Sequence, residues 1–346
     1  AIALDAAAAK ARFEELLESG RFAEAREFAD AFRVDAAREL GSEHRIVLLA
    51  DLYSASTTVH LADLTASIVR ATETVQTMER VLPPDDPEVA NAHGILARMH
   101  KEAGNHEAAS LSVTRSIELH RRWRGSSTVA LGTPLLVRAM IEHDKGDFAG
   151  VEASTREIIG LHGEGRDLLF TKFQANLILA GLAANSNRQY DVQVHLADAM
   201  AITQSTQLPP LLQADALASV GGLLKGLNDD DRAASFLTQA LGGLKKSGGA
   251  TNLLAVDIAL MLVDLIGDRE PKRAAAELAF AFEVLKRLEP RQKRKQGDPW
   301  TAVDLRYADT MNALGNFLLD RGLVDKAAEQ IVTAATIRDK ALGRRH

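Results

Sequence analysis

The chain has 346 residues, of which 46% are hydrophobic and 25% charged, with a net charge of −6 and no cysteine. That hydrophobic share excludes disorder, aromatics at 5% disfavour many-stranded barrels and sandwiches, and the acidic balance argues against nucleic acid or an anionic membrane as partner. The lack of cysteine removes disulfides, thiol catalysis and thiolate zinc sites together, and fits a reducing, cytoplasmic setting.

The first residues, Ala1-Ile2-Ala3-Leu4-Asp5, lack the basic segment and long apolar run of a signal peptide, and no later stretch is apolar enough to cross a membrane. A start at Ala1 rather than methionine fits a piece of a longer protein. From there a break in helical pattern returns at Gly20, His60, Gly104, Gly146, Asn187, Asn228, Gly267 and Gly322, at intervals of 40, 44, 42, 41, 41, 39 and 55 residues. Fixed periods in this range mark stacked supersecondary units. Eight helix pairs are predicted at about 3–40, 44–82, 87–124, 127–163, 166–206, 209–247, 250–289 and 299–342, forming one domain over 1–346. Pro83, Pro84, Pro87, Pro209, Pro210, Pro290 and Pro299 fall at the joints, where no helical N–H is lost. Pro134 starts or kinks its helix, and Pro271 suits a first turn with Asp268 as its cap. The long last interval contains an extra loop, Arg291 to Asp298.

The final period is the clearest. Met311, Leu314 and Leu318 fall at helical spacing with Gly315 beside them, Gly322 closes the helix in a left-handed conformation, and Ala327, Ile331 and Ala334 mark one face of the next helix. Gly315 and Ala327 let the two helices approach closely. Ala97 and Ala109 flank Gly104 in the same way, as Gly221, Ala233 and Ala240 flank Asn228. The Leu-Gly of the first helix and paired alanines of the second resemble a tetratricopeptide repeat. The longer period and the Pro87-Glu88-Val89-Ala90 opening are similar to kinesin-light-chain-type repeats. The resemblance spans nearly the whole chain but is degenerate: Arg138 stands where leucine is expected, and His60 where glycine is usual. It implies an all-α, right-handed α-solenoid of about eight antiparallel helix pairs.

Motifs for chemistry are absent from the sequence. His93 and His100 lie two turns apart, about 10.5 Å of rise, too far to share an ion, and no His-Glu-x-x-His occurs. A Gly-x-Ser-x-Gly turn is missing, and Gly221-Gly222 and Gly242-Gly243 lack phosphate-loop spacing, so they read as helix packing and helix ends. The Asp229-Asp230-Asp231 run reads as a helix cap. Arg121, Arg122 and Arg124 close a helix around Trp123, an inter-pair anchor, while Arg291, Lys293, Arg294 and Lys295 form a solvated basic loop. The expectation is therefore a non-enzymatic protein with no cofactor and no metal.

The resemblance implies that first helices line an inner, concave face. Its candidate partner-binding residues are Arg98, Lys101, Glu102, His143, Gln174, Asn185, Lys225, Asp309, Asn312 and Asn316. Asparagine amides both donate and accept, so a row of them suits a peptide backbone. Glu14 beside Lys10 in the first pair repels a carboxylate and disfavours the clamp that grips chaperone tails. The expected function is a scaffold that binds a peptide or protein in this groove. The alternative is a sensory or regulatory domain of a larger regulator, kinase, ATPase or caspase-like protease. Ile331, Val332 and Ile337 at the uncovered end allow a homo-oligomer through the last helix pair.

Overall fold

The computed structural model describes residues 6–18, 22–57, 64–124, 129–247, 252–288 and 302–342. Gly20, His60, Pro290, Pro299 and the basic loop from Arg291 lie outside the described residues, as do the side chains of Trp123 and Arg124. The described residues hold sixteen α-helices in consecutive pairs and no strand. These are α1 (Ala6–Glu18) with α2 (Phe22–Leu40), α3 (Arg45–Ser56) with α4 (Leu64–Val81), and α5 (Pro87–Glu102) with α6 (His106–Arg124). Next come α7 (Gly132–Asp144) with α8 (Phe148–Gly160), and α9 (Arg166–Asn185) with α10 (Gln189–Thr203). The last three pairs are α11 (Pro210–Gly226) with α12 (Asp230–Ser247), α13 (Leu253–Ile266) with α14 (Pro271–Leu288), and α15 (Ala302–Leu319) with α16 (Val324–Leu342).

One hinge chemistry recurs in five pairs. Gly104, Gly146 and Gly322 have φ of 74°, 74° and 70°, and Asn187 and Asn228 have 59° and 60°. Each hinge N–H donates to the carbonyl three residues back, and the next N–H donates five residues back: Gly104 to Lys101 with Asn105 to His100, and Gly322 to Leu319 with Leu323 to Leu318. This double bond pattern satisfies carbonyls that the helix end would otherwise orphan. Asparagine replaces glycine twice because it tolerates the left-handed region better than most side chains. Gly267 departs from the set. Its φ is −50°, and the chain uses Gly267 to Glu270 to reach Pro271. The Ala274 N–H donates to the Glu270 carbonyl, so Asp268 lies before the cap rather than at it. Pro134 sits in the first turn of α7, where no intrahelical N–H is forfeited, and so starts the helix. Asp229 caps α12, its carboxylate accepting from the Arg232 N–H at 3.3 Å.

Close helix approach follows from small residues at fixed places. Seven residues before the five hinges stand Ala97, Ala139, Ala180, Gly221 and Gly315, all buried. Five residues after them stand Ala109, Val151, Val192, Ala233 and Ala327, also buried. A β-carbon built on Gly315 would lie 2.5 Å from Ile331 Cγ1 and 3.2 Å from the Ala327 carbonyl oxygen. Only glycine permits that spacing.

The helices gather into two compact units, Ala1–Ile202 and Thr203–His346. In the first, α3, α5, α7 and α9 pack directly on one another in sequence; in the second, α11, α13 and α15 do the same. In the first unit α2, α4, α6 and α8 pack on their own partner and on the next first helix, and in the second unit α12 and α14 do the same. First helices therefore sit closer together than second helices, so within each unit their free stripe is the inner one. Arg138 is held between α7 and α8 where leucine was expected: its guanidinium donates to Ser154 Oγ at 2.8 Å and to Glu157 at 3.0 Å. In the last pair Ile337 joins the core with Ala308, Met311 and Ala334, leaving Val324 and Val332 as large apolar residues exposed on α16.

Candidate functional site

The inner stripes of α5, α7 and α9 carry matching rows, because the hinges hold the three helices in register. Thirteen residues before the hinge stand Asn91, Thr133 and Gln174; ten before, Gly94, Leu136 and Leu177; six before, Arg98, Met140 and Gly181. Spacings of three and four residues put each set on one helix face. The face thus has a polar row, an apolar row, and a third row with one guanidinium. Nothing lies within 4 Å of a β-carbon built on Gly181, so that part of the face is open.

Each predicted residue has a definite place. In the first unit Lys101 is committed: its ammonium lies 3.2 Å from Glu102 and 3.6 Å from Asp144 on α7, tying two pairs together. Exposed His143 packs edge-on against Phe148 with ring centroids 5.9 Å apart. Gln174 is half-buried and Asn185 exposed, neither bonded through its side chain to any described residue. Arg98 differs from Lys101. It is exposed and has no hydrogen bond or ion pair among the described residues, yet surrounding protein lowers its pKa by desolvation, against the opposing field of Glu102. Solvent access combined with desolvation is what a side chain in a concavity experiences.

The second unit holds the other four. Lys225 is spent on Asp264 of α13. Asp309 pairs with Arg306 at 3.4 Å and with Arg338 of α16. Asn312 and Asn316 have side-chain amides free of described partners. Two carboxylates that sequence reasoning passed over lie on the same inner stripes. Burial raises the pKa of Asp215, which has no partner among the described residues. It also raises that of Asp257, with Asp309 adding to the effect and the Arg306 ion pair at 2.5 Å opposing it. A signal was available for Asp215: it stands thirteen residues before Asn228, as Gln174 does before Asn187 and Asp309 before Gly322.

The histidines pack rather than gather. His93 Nε2 lies 3.1 Å from Glu79, and burial lowers the pKa of both His93 and His100. Among the described residues no three His, Asp or Glu side chains come together as a metal site. No helix there is long and apolar enough to cross a membrane.

No protein-family profile matches the chain, and no curated protein matches it. Among solved structures it is similar to BtubC (BKLC) from P. vanneervenii, at 16% identity over 81% of this chain and 91% of that one, with a TM-score of 0.43. It is also similar to a Rap protein complexed with competence and sporulation factor, at 12% identity over 99% of both chains, with a TM-score of 0.47. The fold is tetratricopeptide-like. The paired helices, the repeated hinge and the small-residue contacts carry that likeness.

Proposed function

We propose that the chain is a non-enzymatic interaction scaffold whose first unit binds an extended peptide segment along α5, α7 and α9. Arg98 carries this reading. A guanidinium left unpaired in a desolvating concavity is a ready partner for a carboxylate, and the neighbouring rows offer amide and hydroxyl groups beside apolar Leu136, Leu177 and Met140.

The test is selection of binders from a random peptide library against the chain, followed by affinity measurement with Arg98→Ala. The selected peptides should share a carboxylate, either acidic or C-terminal. Converting it to the amide and substituting Arg98 should each weaken binding by about 10- to 100-fold, the range for a charge-assisted hydrogen bond, and the two changes together should cost no more than one. Peptides that bind Arg98→Ala as tightly as the native chain would refute the reading.

A further inference from the structure

The strongest unassigned feature is a cavity of about 270 Å³ at the start of the first unit, walled by α1, α2 and α3. Elsewhere in this unit successive first helices pack directly on each other; α1 meets α3 chiefly where Phe13 stacks on Tyr53 at 5.0 Å, and the cavity takes up the rest of the interval. In a chain with only eleven Phe, three Tyr and two Trp, four of these aromatics line this one space: Phe13, Phe28, Phe32 and Tyr53. Ile46 and Leu49 complete an apolar wall.

The charged groups at its margin are already engaged. The Arg45 guanidinium lies 3.2 Å from Asp86 and 3.8 Å from Glu88, and Lys10 lies 3.9 Å from Glu14. The interior thus offers no free charge. It does offer the Tyr53 hydroxyl, which has no hydrogen-bond partner among the described residues. Burial, with Glu88 and Glu14 adding to it, pushes the Tyr53 pKa to about 12, so the group stays a neutral O–H donor at physiological pH. An apolar concavity, partly open to solvent, with a convergent polar group is the usual composition of a small-molecule site.

We propose that this cavity binds a small uncharged molecule built on fused rings and carrying a hydrogen-bond acceptor that takes the Tyr53 hydroxyl. A dry cavity of about 150 Å³ accommodates benzene, so this larger one suits a bicyclic ligand.

The probe is prodan, a neutral naphthalene ketone whose emission shifts to the blue on leaving water. Titrated with the full chain, it should show saturable, blue-shifted emission with one site per chain. Ala50→Leu and Ala29→Leu place added carbons in the cavity from α3 and α2, and each should abolish the saturable component. Tyr53→Phe keeps the ring stack and should weaken binding about five-fold, the effect of one neutral hydrogen bond. Hydrogen exchange of the native chain with prodan should slow in α1 and α3, a readout that holds even if a cavity-filling variant fails to fold. Emission that does not saturate, or that persists in a folded cavity-filling variant, would overturn the site. An unchanged affinity in Tyr53→Phe would overturn the role given to the hydroxyl.

Discussion

Two adjacent glycines in α11 separate helix propensity from packing. A β-carbon on Gly222 meets nothing within 4 Å, whereas one on Gly221 would lie 2.9 Å from Leu237 Cγ, 3.1 Å from Leu237 Cδ2 and 3.3 Å from the Ala233 carbonyl oxygen. Alanine favours a helix interior over glycine by about 0.8–1.0 kcal/mol, so Gly222→Ala should stabilise by roughly that amount. Gly221→Ala receives the same contribution but must open a contact about 1 Å shorter than carbon atoms prefer. Leu237 is fully buried and its Cγ can move only by leaving its χ1 rotamer against packed neighbours, so the strain falls on the helix pair. Overpacking of this kind costs about 1–3 kcal/mol, which outweighs the propensity gain and leaves Gly221→Ala destabilised by up to about 2 kcal/mol. The assay is hydrogen exchange in α11 and α12 beside chemical denaturation, because a repeat array need not unfold in one step. Leu237→Ala should partly absorb the added methyl, giving a compensating coupling in a double-mutant cycle. Equal stabilisation by both alanines would refute the argument.

Other outcomes follow from the same contacts. Gly315→Ala should destabilise α15 and α16 because Ile331 and the Ala327 carbonyl crowd the added carbon, with protection lost there first in hydrogen exchange. Asn187→Gly should be tolerated, while Asn187→Val should cost about 1–2 kcal/mol for forcing a branched residue to φ of 59°, read as a lowered denaturation midpoint. Arg138→Leu restores the residue usual in such repeats but removes the donor to Ser154 and Glu157; a loss of about 1–3 kcal/mol is expected by denaturation. Burial holds the folded-state pKa of His93 and His100 below the reference 6.5, so the unfolded chain takes up more protons as pH falls. Their contribution is fully present above about pH 6.5 and is lost below it, down to the depressed folded values. Protection factors in α5 and α6, taken against the intrinsic exchange rate at each pH, should fall between pH 7.5 and 5, and His93→Gln should blunt the effect.

The chain's local chemistry was readable without coordinates. Gly104, Gly146, Gly322, Asn187 and Asn228 announce helix ends because a left-handed residue is a property of the residue itself and its nearest neighbours. Prolines at helix starts and small residues at hinge offsets belong to the same class, so the pairing could be read from spacing, whereas the inner face came only from the resemblance to tetratricopeptide repeats. What the sequence could not show is which polar groups remain available. Lys101, Lys225 and Asp309 carry the same chemistry as a free ligand contact, yet Asp144, Asp264 and Arg338 claim them from the next helix, while Arg98 is left unpaired. Lys225 and Asp264 are 39 residues apart along the chain, and their meeting depends on how one pair lies on the next. The cavity under Phe13 and Tyr53 has the same origin. Helix propensity and turn chemistry act over a few residues, but the space left between α1 and α3 and the charge left over on α5 are residues of packing, and only the folded arrangement decides them.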